Sequence, residues 1–251
     1  MLFTDSIMAT VDDLAEYESE IRAVASAEAI NLETKLRLAQ SEVGIELLAT
    51  SVLPDADRTR NAFTLGQVVV TDALRLWHIF HTLAIIFRDA YNRKLNDKYR
   101  PKWEEYQELA KSANGQYLTI GVALVWNPLP APGPPTLDSV AGGDLPATNY
   151  FVFTTWVNAR GQESSPSPIV ASTVGAAQLP RIQPASPPAQ AAGWYPYVSI
   201  LYNQGQRQAN TPLSLSSSWT MPASGLVSGA STPSGQPPDL VRTLPRTLQR
   251  G

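Results

Sequence analysis

The run Trp126-Asn127-Pro128-Leu129-Pro130-Ala131-Pro132-Gly133-Pro134-Pro135 divides the chain into two chemistries. Before it, residues 1–125 hold 31 of the 41 charged residues and two of the 21 prolines. From it onward, residues 126–251 hold 10 charged residues and 19 prolines. Proline has no amide hydrogen and breaks a helix interior, so the first half admits long helices and the second does not. The run itself favours extended polyproline geometry and reads as a semi-rigid linker over 126–135.

Working back from the run, four helical segments are expected. Thr10 caps the first, over about 10–27, with Asp12 and Asp13 suited to the positive helix start. Asn31 caps the second, which runs to Val52 with Leu32, Leu36, Ala39, Val43 and Leu47 on one stripe. The third runs from about Thr64 to Asn92 and is apolar on nearly every face between Leu76 and Phe87. A helix that is apolar all round is buried all round. Few helices are on hand to cover it, so burial against neighbouring subunits is expected, and with it an oligomer. The fourth starts at Pro101, a favoured first-turn residue, and is expected to stop near Asn114-Gly115.

Working forward from the run, the pattern turns to strands. Asn149–Val157 reads NYFVFTTWV, with both faces apolar or β-branched, as in an interior strand. Further strands are expected at Trp194–Tyr202 and Leu213–Thr220, and Pro196 marks the former as an edge. Short strands with proline- and glycine-rich turns predict a small antiparallel β-sandwich over 136–224. Residues 225–251 are poor in apolar side chains and are expected to be disordered, or an arm ordered by a partner. The predicted fold class is therefore α+β and multidomain: an all-α bundle over 1–125, a linker, a sandwich and an extended arm.

Composition narrows the chemistry. The chain has 251 residues, net charge −3 and no cysteine. That removes disulfides, thiolate metal sites and cysteine nucleophiles, and gives no bulk electrostatic case for nucleic acid. The only histidines, His78 and His81, stand three apart on one helix face, a spacing that suits metal. A third ligand would have to be Asp72, Asp89 or another chain, so packing roles are the stronger expectation and no metal or cofactor is assigned. No GxxxxGK[ST], GxGxxG or GxSxG motif is present, and the carboxylates Glu104, Glu105 and Glu108 sit on a charged face. No enzyme is expected. The N-terminal MLFTDSIMATVDD has no basic n-region and no long apolar segment, so no secretory signal is expected. The apolar run 76–87 is too short to span a bilayer, which takes roughly 20 residues.

Two stretches resemble known families. Leu74-Arg75-Leu76-Trp77-His78-Ile79-Phe80-His81-Thr82-Leu83, with Phe87-Arg88-Asp89-Ala90-Tyr91, Leu95-Asn96-Asp97-Lys98-Tyr99 and the earlier Leu36–Glu46, resembles the helical core of head–tail adaptor (connector) proteins of tailed bacteriophages. Asn149–Pro168, with its VNARGQESSPS, resembles a hairpin of a fibronectin type III-like or immunoglobulin-like module, and Gly193–Val198 and Ser218–Thr220 fit its later strands.

The resemblance implies a non-enzymatic virion protein of the head–tail neck, assembled in the host cytoplasm. It implies a self-ring, typically a dodecamer, joining the portal to tail or nozzle proteins, with non-specific contact to packaged DNA in the lumen. On that reading Leu76, Trp77, Phe80, His81, Leu83 and Phe87 form the subunit interface. Arg88, Arg93, Lys94, Lys98, Arg242, Leu244, Arg246, Leu248 and Arg250 dock on the portal or a neighbour. The rival expectation is a baseplate or fibre-attachment protein whose sandwich binds host carbohydrate through exposed Trp156, Trp194 or Trp219.

Overall fold

A computed structural model describes residues 1–51, 62–94 and 97–243. Among these the fold is mixed α+β, with five α-helices and antiparallel sheets, and no helix is long and apolar enough to cross a membrane. The chain divides into two compact units. One comprises Met1–Asp5 and Asn127–Pro237, the other Ser6–Trp126 and Pro238–Gly251.

In the helical unit, α1 (Val11–Tyr17) opens with a capping box. The Asp13 amide donates to Thr10 Oγ1 at 3.2 Å, and the Thr10 amide donates to the Asp13 carboxylate at 2.6 Å. The first segment is two helices rather than one: α1 ends at Tyr17 and α2 spans Ile21–Ala27. At the break, the Glu18 carboxylate accepts from the Tyr106 hydroxyl at 3.0 Å and pairs with Lys102 at 3.1 Å. Tertiary bonds thus outweigh continued helix.

Asn31 caps α3 (Leu32–Ser51), its side-chain oxygen accepting from the Thr34 amide at 2.9 Å. Leu36, Ala39, Val43 and Leu47 are buried, as their spacing requires. α4 is Asp72–Lys94, shorter than expected at its start. The residues before it form a 3-10 turn at Leu65–Gln67, and Val68 then bridges to Leu124.

α5 (Arg100–Ile120) runs through Asn114-Gly115 and ends at Gly121, whose φ of 105° favours glycine. Glycine in mid-helix costs about 1 kcal/mol. Tyr106, Ala110, Ala113 and Tyr117 keep helical spacing across that point and are buried, which offsets the cost. Beyond Gly121, β1 (Val122–Leu124) pairs antiparallel with β9 (Leu240–Arg242), in register Val122 to Arg242 and Leu124 to Leu240. The Asp239 carboxylate also accepts from the Trp126 amide at 2.8 Å.

The β-rich unit has a three-stranded sheet in order β2-β5-β8 and a four-stranded sheet in order β4-β3-β6-β7. Their ranges are β2 Thr136–Ala141, β3 Thr148–Asn158, β4 Val170–Val174, β5 Gln178–Gln183, β6 Ala191–Ser199, β7 Gln206–Arg207 and β8 Trp219–Thr220. One apolar cluster draws Val152 and Trp156 from β3, Ile182 from β5, Trp194 and Val198 from β6, and Trp219 from β8. The opposite face of β3 and β6 is buried too, with Phe153 stacked on Tyr197 at 5.1 Å. The expected third strand shrinks to Trp219–Thr220. Leu213 instead bridges to Trp194, and residues 214–217 turn.

β6 is not an edge strand, since it pairs with both β3 and β7. Pro196 fits because its carbonyl accepts from Gln208 N–H at 2.9 Å. In a strand a residue's nitrogen and carbonyl face the same neighbour, so the missing donor lies on the short β7 side and the β3 ladder is intact.

The proline-punctuated segment after β3 lies along it as a surrogate strand. Ser164 and Ser167 donate backbone N–H groups to the Trp156 and Thr154 carbonyls at 2.9 Å each. Their hydroxyls accept from the Trp156 and Thr154 amides at 3.0 Å each. The serine side chains replace the regular strand donor–acceptor pattern that Pro166 and Pro168 interrupt. Ser167→Ala would strand the buried Thr154 amide. A loss of about 1–3 kcal/mol is expected in urea melts, against under 0.5 kcal/mol for the exposed Ser216→Ala.

The stretch expected to be disordered or partner-ordered is fastened to its own chain as far as Arg242. Gln208 holds Val227 through both its side-chain amide groups, and Gln206 bridges to Ser231. Buried Gln236 accepts from the Leu129 amide at 2.8 Å and donates to the Asn127 carbonyl at 3.1 Å. Met1–Asp5, expected with the helices, instead belong with the β-rich unit. Leu2 and Phe3 are buried there, and Asp5 accepts from the Ala131 amide at 2.9 Å.

Candidate interaction surface

The six residues expected at a subunit interface lie on α4, and the chain covers much of that helix itself. Trp77, Leu83 and Phe87 are 3%, 0% and 2% exposed. Trp77 packs on Tyr117 at 5.9 Å, and Phe87 stacks on Tyr106 at 5.5 Å. This corrects the premise that α4 needs neighbours: a longer α5, with α3 and the α1–α2 pair, supplies the cover. Leu76, Phe80 and His81 are half-buried. Phe80 meets Tyr17 edge-on at 5.2 Å.

The two histidines face α3 in different ways. His78 is fully buried, and its Nε2 donates to the Leu36 carbonyl at 2.9 Å. Burial pushes its pKa down to about 4, with the nearby His81 acting in the same direction; the Leu36 carbonyl and Asp13 act against it. His81 Nε2 lies 2.7 Å from the Glu42 carboxylate. Among the described residues no cluster of three or more His, Cys, Asp or Glu side chains could hold a metal ion.

The basic residues named from the sequence lie on several elements of the helical unit. Arg88 is exposed and lies 3.9 Å from Asp89. Arg93 lines a shallow cleft with Lys35 and Asp89. Lys98 sits over the Tyr99 ring at 4.4 Å, and Arg242 ends β9. Of Lys94 only the backbone is described, and Leu244, Arg246, Leu248 and Arg250 lie outside the described residues.

Two apolar surfaces went unread in the sequence. On α3, Leu38, Ile45 and Leu48 are exposed, Ile45 by 67%. Their spacing of seven and three places them on one helix face, opposite the buried stripe. Glu42 and Glu46 flank them. In the β-rich unit, Ile200, Leu201 and Tyr202 project from the β6–β7 turn, Tyr202 by 70%. The α3 face follows from the same helical periodicity as the core face.

A cleft of about 330 Å3 opens where α3, α4 and α5 meet. Trp77, Ala84, Ile85, Trp103 and Ala110 give its apolar surface, and Glu46, His81, Arg88, Lys111 and Asn114 its polar one. Asn114 donates to Glu46 across it. No protein-family model matches this chain, and no curated protein is significantly similar to it.

Proposed function

We propose that this chain is a structural virion protein that assembles into a ring joining the portal to the tail of a bacteriophage. The observation that carries this reading is the α3 face Leu38, Ile45 and Leu48: large aliphatic side chains left in water on a unit whose own core is filled. Exposed apolar surface of this kind marks protein–protein contact. A closed ring repeats one heterologous contact, which such a face supplies to the next copy. Resemblance of the α4 region to adaptor helices supports the portal as partner, met by the exposed Arg88, Arg93 and Lys98.

The β-rich unit is, on this reading, a fibronectin III- or immunoglobulin-like sandwich. What supports this is that its two sheets share one apolar cluster and that the VNARGQESSPS segment resembles a hairpin of such modules. It faces tail components. The carbohydrate-binding rival loses its carriers, because Trp156, Trp194 and Trp219 are buried at 1%, 0% and 8% exposure.

Light scattering of the full chain, alone and with its portal, tests the proposal. The expected result is a ring-sized mass that forms on the portal, and an Ile45→Asp variant that keeps its helical circular dichroism but assembles at least tenfold more weakly. A fixed dimer or trimer indifferent to the portal would overturn the ring.

A further inference from the structure

The β6–β7 connection holds apolar side chains in water. The hairpin is paired as far as Val198 and Gln206, so residues 199–205 form its loop. Within it Ile200, Leu201 and Tyr202 are consecutive and 56%, 55% and 70% exposed. The loop is ordered by its own bonds. The Leu201 amide donates to Ser199 Oγ at 2.9 Å, and the Gln204 amide donates to the Leu201 carbonyl at 3.4 Å. Asn203, at φ 60°, turns the chain back, and Tyr202 meets the Phe151 ring edge-on at 5.6 Å. Large apolar side chains fixed in water at the tip of an ordered loop mark a contact surface.

The rest of that end of the β-rich unit is nearly free of charge. Ser199 lies opposite Phe151, near the start of β3, and Val174 lies opposite Thr148. The connections 142–147, 175–177 and 200–205 therefore share one end of the four-stranded sheet. Of their residues only Asp144 is charged. From Val198 to Asn210 the sole charge is Arg207, whose guanidinium lies over the Tyr195 ring at 4.5 Å.

Shape and charge choose the partner. A helix flank such as that of α3 lies flat on a neighbour and brings adjoining side chains into the contact. A loop tip touches a flat protein surface only with its own residues. Three partly exposed side chains offer on the order of 300 Å2, well below the roughly 800 Å2 a side of a specific protein contact. A bilayer closes around a protruding tip and sets no such minimum. Its interfacial layer favours tyrosine, with the ring among apolar groups and the hydroxyl in water. It penalises charge, of which residues 199–205 have none. It also demands that inserted backbone groups find partners within the loop, as the Leu201 and Gln204 amides do.

We infer that the 200–202 tip enters the interfacial layer of a phospholipid bilayer, with Ile200 and Leu201 below the headgroups and Tyr202 at their level. The contact is apolar and needs no anionic lipid. It goes beyond the ring reading and does not depend on it; a ring would only multiply it.

Flotation of the full-length protein with phosphatidylcholine vesicles tests this. Wild type is expected to float with the vesicles, equally in low and high salt. A double variant, Leu201→Ser with Tyr202→Ser, should partition to lipid roughly tenfold more weakly or worse. Ile45→Asp, on the α3 face, should float like wild type. Circular dichroism checks that each variant is folded. Because the chain has no cysteine, a nitrobenzoxadiazole probe on Asn203→Cys reports depth. Its emission should brighten and shift to the blue with vesicles. The same probe on Ala159→Cys, in the exposed turn at the other end of β3, should not change. Wild type that stays in the soluble fraction would overturn the inference and leave the tip to a protein partner. So would flotation only with vesicles containing anionic phosphatidylglycerol, or flotation that the double variant retains. Assembly mass decides the ring separately, so the two readings fail independently.

Discussion

Replacing Trp194 with alanine lowers the stability of the β-rich unit by an expected 3–5 kcal/mol or so. Trp194 is 0% exposed, lies opposite Trp156 in the β3–β6 register, and belongs to the cluster that both sheets share. Its indole Nε1 donates to the Ser214 carbonyl at 3.0 Å. Truncation therefore removes a large apolar group, leaves a cavity between two sheets, and frees a carbonyl at once. A domain's whole stability is only about 5–15 kcal/mol, so the variant should be unfolded over much of the urea range that wild type withstands. Trp194→Phe, which keeps most of the volume but not the indole donor, should cost roughly a third as much. Urea melts followed by circular dichroism decide it. A shift below about 1 kcal/mol for the alanine variant would mean that the cluster is not the unit's core.

Acid should weaken the helical unit through His78. His78 has a folded pKa of about 4, against 6.5 for the free side chain. Because the folded state prefers the neutral imidazole, the unfolded chain binds the proton first as pH falls. Stability is therefore complete above pH 6.5 and falls as pH drops from 6.5 toward 4. The full loss is about 3 kcal/mol, from about 1.4 kcal/mol per pKa unit. The cause is burial: Nδ1 has no hydrogen-bond partner, and Nε2 is already committed to Leu36. Thermal melts at pH 7 and pH 4.5 should separate wild type from His78→Gln, whose side chain does not titrate. Parallel curves for the two proteins would show that the proton goes elsewhere.

The local rules found those elements whose partners are near in sequence. Thr10 and Asn31 cap helices because the amides they satisfy lie three residues on. The α3 core stripe and β3 follow from periodicity alone. What was not legible depends on distant pairing. Three residues at Val122–Leu124 carry no signal that β9 will join them from beyond residue 239. Asn114-Gly115 has the composition of a helix stop, and only Trp77 and Glu46, far away in the chain, explain why the helix continues. The α4 run misled for a similar reason: its apolar faces were read correctly, but the length of the helix that covers them was not. Of the candidate surface, the sequence located the basic residues. It passed over Leu38, Ile45 and Leu48, whose exposure is known only once the opposite stripe is seen to be the buried one.

Each unit borrows a strip from the far terminus: Met1–Asp5 belong with residues 127–237, and β9 with residues 6–126. A ribosome delivers these pieces in the least convenient order. The first five residues emerge before anything they pack against has been made. β1 waits for Leu240–Arg242, which follow it by more than 100 residues. Neither unit is complete until residues on both sides of the proline run have been made, and a gene cut there would encode two incomplete products. Both units are therefore completed nearly together, once residues 237–242 have been made.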